Sequence, residues 1–131
     1  MSEASNVRPK FKNALVVDDE PVHLERYCQM LKSLGVATVT TAGDGLLAMK
    51  ELKRMAVMPD LIVTDLFMPN ADGIEFISAL SETRFVGQLV ICSDKDLSYL
   101  KLLRTIARAK KFQCEAVPKQ LMEQSLGALF D

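Results

Sequence analysis

The strongest constraint on this chain is an alternation. Short apolar runs give way to stretches of helical spacing about five times within 131 residues. Ala14-Leu15-Val16-Val17 is the first run, residues 36–41 the second and Leu61-Ile62-Val63-Thr64 the third. Leu89-Val90-Ile91-Cys92 is the fourth, and a fifth passes through Cys114 to Val117. Strands that are apolar at every residue are buried on both faces, as in a parallel sheet. Strands alternating with helices close through right-handed crossovers, which put helices on both faces of that sheet. We therefore expect a doubly wound five-stranded α/β domain.

Punctuation supports this division. Pro21 suits a first helical position, where its missing N–H is not needed. Leu24, Cys28, Leu31 and Leu34 follow at helical spacing with Tyr27 alongside, and Gly35 suits the stop. Asp44 can cap a second helix with the stripe Leu46, Met49, Leu52 and Met55. Met68-Pro69-Asn70-Ala71-Asp72-Gly73 reads as a turn before a third helix carrying Ile74, Ile77 and Leu80. A fourth helix is expected over about 95–111, with Leu97, Leu100, Leu103 and Ile106. The tail 120–130 carries Leu121, Leu126 and Leu129 and suggests a last helix broken or weakened at Gly127.

Composition narrows the class. An apolar content of 49% is enough for a core, and the length is that of one domain. We expect a polar N-terminal extension over 1–12 and one domain over 13–131. With 16 basic and 17 acidic residues, net charge gives no argument for nucleic acid. No run approaches the roughly 20 apolar residues of a membrane span, and the N-terminus has no apolar signal core. Cys28, Cys92 and Cys114 are odd in number and widely spaced, so we expect buried free thiols in a reducing cytoplasm.

In doubly wound sheets function sits at the carboxyl ends of the strands. Strand one ends in Asp18 and Asp19, strand three in Asp65, strand four in Ser93 and strand five in Lys119. If strands one and three are neighbours, three carboxylates converge, and their repulsion calls for a cation. A hard divalent ion such as Mg²⁺ fits oxygen ligands of this kind.

This constellation resembles the receiver domains of two-component response regulators (CheY-like). The matching stretches are Val16-Val17-Asp18-Asp19-Glu20, Val63-Thr64-Asp65-Leu66-Phe67-Met68-Pro69, Asp72-Gly73, Ser93 and Pro118-Lys119. The resemblance implies a flavodoxin-like strand order, 2-1-3-4-5, and a role for each site residue. Asp65 is the implied phosphoacceptor, taking a phosphoryl group from a histidine kinase or phosphotransfer protein. Asp18, Asp19, Asp65 and the Phe67 backbone carbonyl are the implied Mg²⁺ ligands, Asp18 acting through a water. Lys119 and Ser93 are the implied partners of the phosphoryl oxygens, with closure of the Ser93 bond passing the signal on. The implied output is a changed surface for a downstream protein or domain.

Three departures bear on that output. Gln120 follows Lys119 where a proline in a cis bond is usual, leaving the local loop geometry open. Ala116 stands where an aromatic switch residue is common, so we expect signalling through the Ser93 loop and the fourth helix. Asp94 follows Ser93 where a small residue is usual, and either modulates phosphorylation or caps the fourth helix. A long Ser93-to-Lys119 stretch and Ala116-Val117-Pro118-Lys119 add a fainter similarity to receivers attached to EAL-type cyclic-di-GMP phosphodiesterases.

Other readings stay open. An aspartyl-phosphate hydrolase of the haloacid dehalogenase kind needs an acid two residues after its nucleophile, and here that residue is Phe67. A degenerate, phosphate-independent interaction module is the second alternative, and homodimerisation is left open. His23, the sole histidine, reads as a surface residue. Lys101, Arg104, Arg108, Lys110 and Lys111 read as a helix C-terminus complementing its dipole, with a docking face as the sharper alternative.

Overall fold

A computed structural model describes residues 10–68, 71–94 and 97–131. Its main sheet has five strands: β1 Asn13–Val17, β2 Thr38–Ala42, β3 Leu61–Asp65, β4 Gln88–Ser93 and β5 Gln113–Pro118. All pair in parallel, in the spatial order β2-β1-β3-β4-β5. The helices are α1 Pro21–Ser33, α2 Gly45–Arg54, α3 Gly73–Leu80, α4 Leu97–Ala109 and α5 Met122–Leu129. A 3₁₀ turn, Lys119–Leu121, leads into α5, and a two-residue antiparallel ribbon (Phe67–Met68 with Ala71–Asp72) follows β3.

Period-two alternation in the strands feeds two separate cores. Leu15, Val17, Ile62, Leu89 and Ile91 face α2, α3 and α4, meeting Leu52, Ile77, Leu80, Leu100 and Leu103. Ala14, Val16, Val63, Val90 and Cys92 face α1 and α5, meeting Tyr27, Leu31, Met122 and Leu126. The central strands β3 and β4 are buried at every residue, as their unbroken apolar runs require. The edge strands β2 and β5 are only partly buried.

Helix ends follow the local chemistry. The Asp44 carboxylate accepts a 2.8 Å bond from the Leu47 N–H and caps α2. After α1, Gly35 turns left-handed at φ 101°, and the Gly35 and Val36 amides bond back to Lys32 and Leu31. After α4, Lys111 takes the same left-handed role at φ 75°, with Lys111 and Phe112 bonded back to Arg108 and Ala107.

Several expectations need correction. Strand two spans Thr38–Ala42, not 36–41, and Val36 is buried in the turn before it. Leu46, Ile74, Leu97 and Leu121 are exposed, while Ala48, Phe76, Ala107 and Met122 fill the core instead. Leu46 and Ile74 directly follow the buried Gly45 and Gly73, so they are exposed by the side of the helix they occupy and not by its position along the sheet. Helix four ends at Ala109, short of Lys111. α5 runs unbroken through Gly127, which sits on an open side of the helix. Cys28 is only half-buried, while Cys92 and Cys114 are buried, and all three are free thiols. Pro69, Asn70, the expected helix start at Lys95 and residues 1–9 of the extension lie outside the described residues. Within the expected extension, Phe11 is buried and meets Phe130 edge-on, with ring centroids 5.1 Å apart. No described helix is long and apolar enough to cross a membrane.

Candidate functional site

β1 and β3 lie side by side, with Val17 paired to Thr64, so the residues leaving their carboxyl ends meet. The Asp18 amide bonds to the Ala42 carbonyl at 3.1 Å and extends the β1–β2 pairing by one residue. That pairing holds the Asp18 carboxylate inside the protein, fully buried, while Asp19 faces outward and is exposed. Asp65, the last residue of β3, is 4% exposed. Asp18, Asp19 and Asp65 each offer an oxygen within 4.8 Å of the others. Two buried carboxylates and one exposed carboxylate at that spacing are hard oxygen donors opening to solvent on one side, which suits a small divalent cation.

Lys119 enters from the end of β5. Its ammonium donates to Asp65 Oδ2 at 2.8 Å and lies 3.3 Å from Asp18 Oδ2. Burial alone would lower its pKa, but the Asp65 hydrogen bond and the charges of Asp65 and Asp18 win and raise it. The lysine is therefore a fixed positive charge between two carboxylates. Behind them, the buried Cys92 thiol is pushed up, first by burial and then by the Asp65 charge. Cys92 donates to the Thr64 carbonyl at 3.5 Å and acts as packing rather than as a nucleophile.

Ser93 ends β4 beside this cluster, buried and in register with Pro118. Ala116 is half-buried on β5, in register with Ile91. Gln120 is exposed within the 3₁₀ turn, and no peptide bond among the described residues is cis. Asp94 is exposed, and the step linking it to α4 lies outside the described residues.

His23 is the member of the cluster that sequence reasoning missed. It is not simply a surface residue: its Nδ1 lies 3.2 Å from Asp18 Oδ2 and 3.2 Å from Lys119 Nζ. A signal was available in the sequence. Pro21 begins the helix, so His23 is its third residue, and side chains there lean back toward the N-terminus and the acidic pair.

Fold and site together define a class: a doubly wound parallel α/β domain gathering three carboxylates and one lysine where two adjacent strands end. The chain belongs to the response regulator receiver domain family, whose model matches residues 14–121. It is 36% identical over 92 residues to the alkaline phosphatase synthesis transcriptional regulatory protein PhoP of Bacillus subtilis, covering 70% of this chain and 37% of that one. It is 30% identical over 91 residues to a probable C4-dicarboxylate response regulator of the same organism, covering 68% and 39%. The match thus spans less than two fifths of these relatives' length. A response regulator structure from Colwellia psychrerythraea shares the fold, with a TM-score of 0.73 at 22% identity over 91% of this chain and 93% of that one.

Proposed function

We propose that this receiver domain is a phosphorylation-dependent switch and that Asp65 is its phosphoacceptor. One observation carries the reading: Asp65 ends β3 between two further carboxylates, with the Lys119 ammonium 2.8 Å from its Oδ2. An Asp65 oxygen forms a P–O bond as the P–N bond of a partner's phosphohistidine breaks, which leaves an acyl phosphate. Phosphoryl transfer asks for positioning and charge compensation more than for covalent help. Lys119 supplies both, pairing with Asp65 at rest and with a phosphoryl oxygen afterwards. Ser93 donates its hydroxyl to another phosphoryl oxygen.

Asp18, Asp19, Asp65 and the Phe67 carbonyl would hold Mg²⁺, with Asp18 reached through water. Bound there, the ion offsets the charge of the transferring group. The donor set fits, since it is all oxygen and two of its carboxylates are buried.

The partners under this reading are a histidine kinase or phosphotransfer protein upstream and a downstream protein or output domain. The relatives carry output functions as different as transcriptional regulation and protein-glutamate methylesterase. The faint EAL-type similarity makes a cyclic-di-GMP-related output one candidate. We assign this chain a switching role rather than an enzymatic one, in residues 13–131, without nucleic acid or membrane as its own ligand. Free thiols at Cys28, Cys92 and Cys114 suit the reducing cytoplasm.

Incubation with Mg²⁺ and acetyl phosphate, followed by intact mass measurement, tests the reading. A single phosphoryl adduct that needs Mg²⁺ and disappears in Asp65→Asn is expected. No adduct in folded protein that binds Mg²⁺ would turn the assignment toward a phosphate-independent module.

A further inference from the structure

The Lys119 ammonium has three N–H donors and three polar partners around it. Asp65 Oδ2 lies at 2.8 Å, His23 Nδ1 at 3.2 Å and Asp18 Oδ2 at 3.3 Å. Nδ1 faces both this ammonium and the Asp18 carboxylate, and a single ring nitrogen is either a donor or an acceptor. Lysine only donates, so Nδ1 either accepts from the Lys119 ammonium or carries a proton aimed at the Asp18 carboxylate. In both cases the ring closes a triangle, since His23 Nδ1, Lys119 Nζ and Asp18 Oδ2 lie 3.2–3.3 Å from one another. Asp18 is held from its other side by the Glu20 amide at 2.9 Å.

We infer that His23 is a positioning residue for Lys119: together with Asp18 it fixes where the ammonium sits beside Asp65. The inference rests on the phosphoacceptor reading. When Asp65 becomes an acyl phosphate, His23 and Asp18 stay in place, and one ammonium N–H turns from the carboxylate to a phosphoryl oxygen. Without His23 the ammonium is less firmly placed for that oxygen, and transfer slows. His23 and Lys119 are 96 residues apart in sequence. Only the meeting of α1 with the end of β5 makes the contact.

Side-chain geometry supplies a matched pair of variants. The Asn amide puts its oxygen or its nitrogen at the branch position of the histidine Nδ1, so His23→Asn keeps a hydrogen-bonding group where His23→Leu puts a methyl group. Phosphorylation by acetyl phosphate at saturating Mg²⁺, followed by intact mass over time, should be about tenfold slower in the Leu variant. In the Asn variant it should stay within about twofold of the parent. A second readout is independent of phosphorylation. The Lys119 ammonium signal in a proton–nitrogen correlation spectrum should be sharp in the parent and the Asn variant and broadened by water exchange in the Leu variant. Should His23→Leu fail to fold, His23→Ala removes the hydrogen-bonding group with less bulk and must reproduce the slow rate and the broadened signal. A Leu variant as fast as the parent, or an Asn variant as slow as Leu, overturns the inference. No adduct in the parent would count against the phosphoacceptor reading instead. The ammonium signal then decides this one, and equal sharpness in all variants overturns it.

Discussion

Replacing Lys119 by Met removes a positive charge set between two buried carboxylates. Asp18 is fully buried and Asp65 is 4% exposed, and the lysine lies 3.3 Å and 2.8 Å from their oxygens. At an effective dielectric constant near 20, each contact has a gross attraction of about 5 kcal/mol, much of it offset by desolvation of the charges. Removing one partner of a buried pair typically costs about 3–5 kcal/mol, because the remaining charge is left uncompensated. The exposed Asp19 marks an opening to water, so the lower end applies and we expect a loss of about 3 kcal/mol. With a urea slope of about 1.5–2 kcal/mol/M, the midpoint falls by about 1.5–2 M. The chain has no tryptophan, so far-UV circular dichroism is the assay, run first in EDTA and then in excess Mg²⁺. Lys119 also repels a cation from the same carboxylates. Mg²⁺ should therefore bind the variant more tightly, stabilise it more, and narrow the gap by about 1 kcal/mol or more. Lys101→Met, an exposed control on α4, should stay within about 0.5 kcal/mol of the parent. A Lys119→Met protein as stable as that control in EDTA would refute the charge accounting. A gap unchanged by Mg²⁺ would separate the lysine from the metal site.

Three further outcomes follow from local features. A Cβ added at Gly87 would lie 2.6 Å from the Asp60 carbonyl carbon, which belongs to backbone that cannot swing away. Gly87→Ala should lower the melting temperature by about 10 °C, and a change under about 2 °C would show that the turn yields freely. Lys111 holds a left-handed conformation at φ 75° after α4, so Lys111→Gly should stabilise the fold by about 0.5–1 kcal/mol in urea titration. Burial pushes the Cys114 thiol from 9.0 up to about 12. Between those values the unfolded chain has already lost a proton that the native state keeps. Stability is therefore fully present below about pH 9 and falls as pH rises, by up to about 1.4 kcal/mol per unit from this group. Cys114→Ala should flatten that slope in urea titrations at pH 8.5, 9.5 and 10.5, and an unchanged slope would count against the burial argument.

The order of the elements and the residues that end the strands were legible in one dimension. Short β-rich apolar runs alternating with helical periods mark the strands of a parallel sheet, so Asp65, Ser93 and Lys119 were legible as residues that close or follow those runs. Asp18 and Asp19 were legible too, because an acidic pair directly after such a run must leave at its carboxyl end. Tertiary structure decided which side of each helix is buried. Leu46, Ile74, Leu97 and Leu121 have the right spacing but are exposed, while Ala48, Phe76, Ala107 and Met122 are buried instead. Apolar spacing reports a face, and only packing against the sheet decides which neighbouring residues share it. It also decided that the two acids after β1 differ, since pairing of the Asp18 amide with Ala42 turns one inward and leaves the other in water. His23 shows the same limit most clearly. A lone histidine in a first helical turn has no chemistry of its own in one dimension. It gains a role only where α1 brings its Nδ1 within 3.2 Å of a lysine from the far end of the chain.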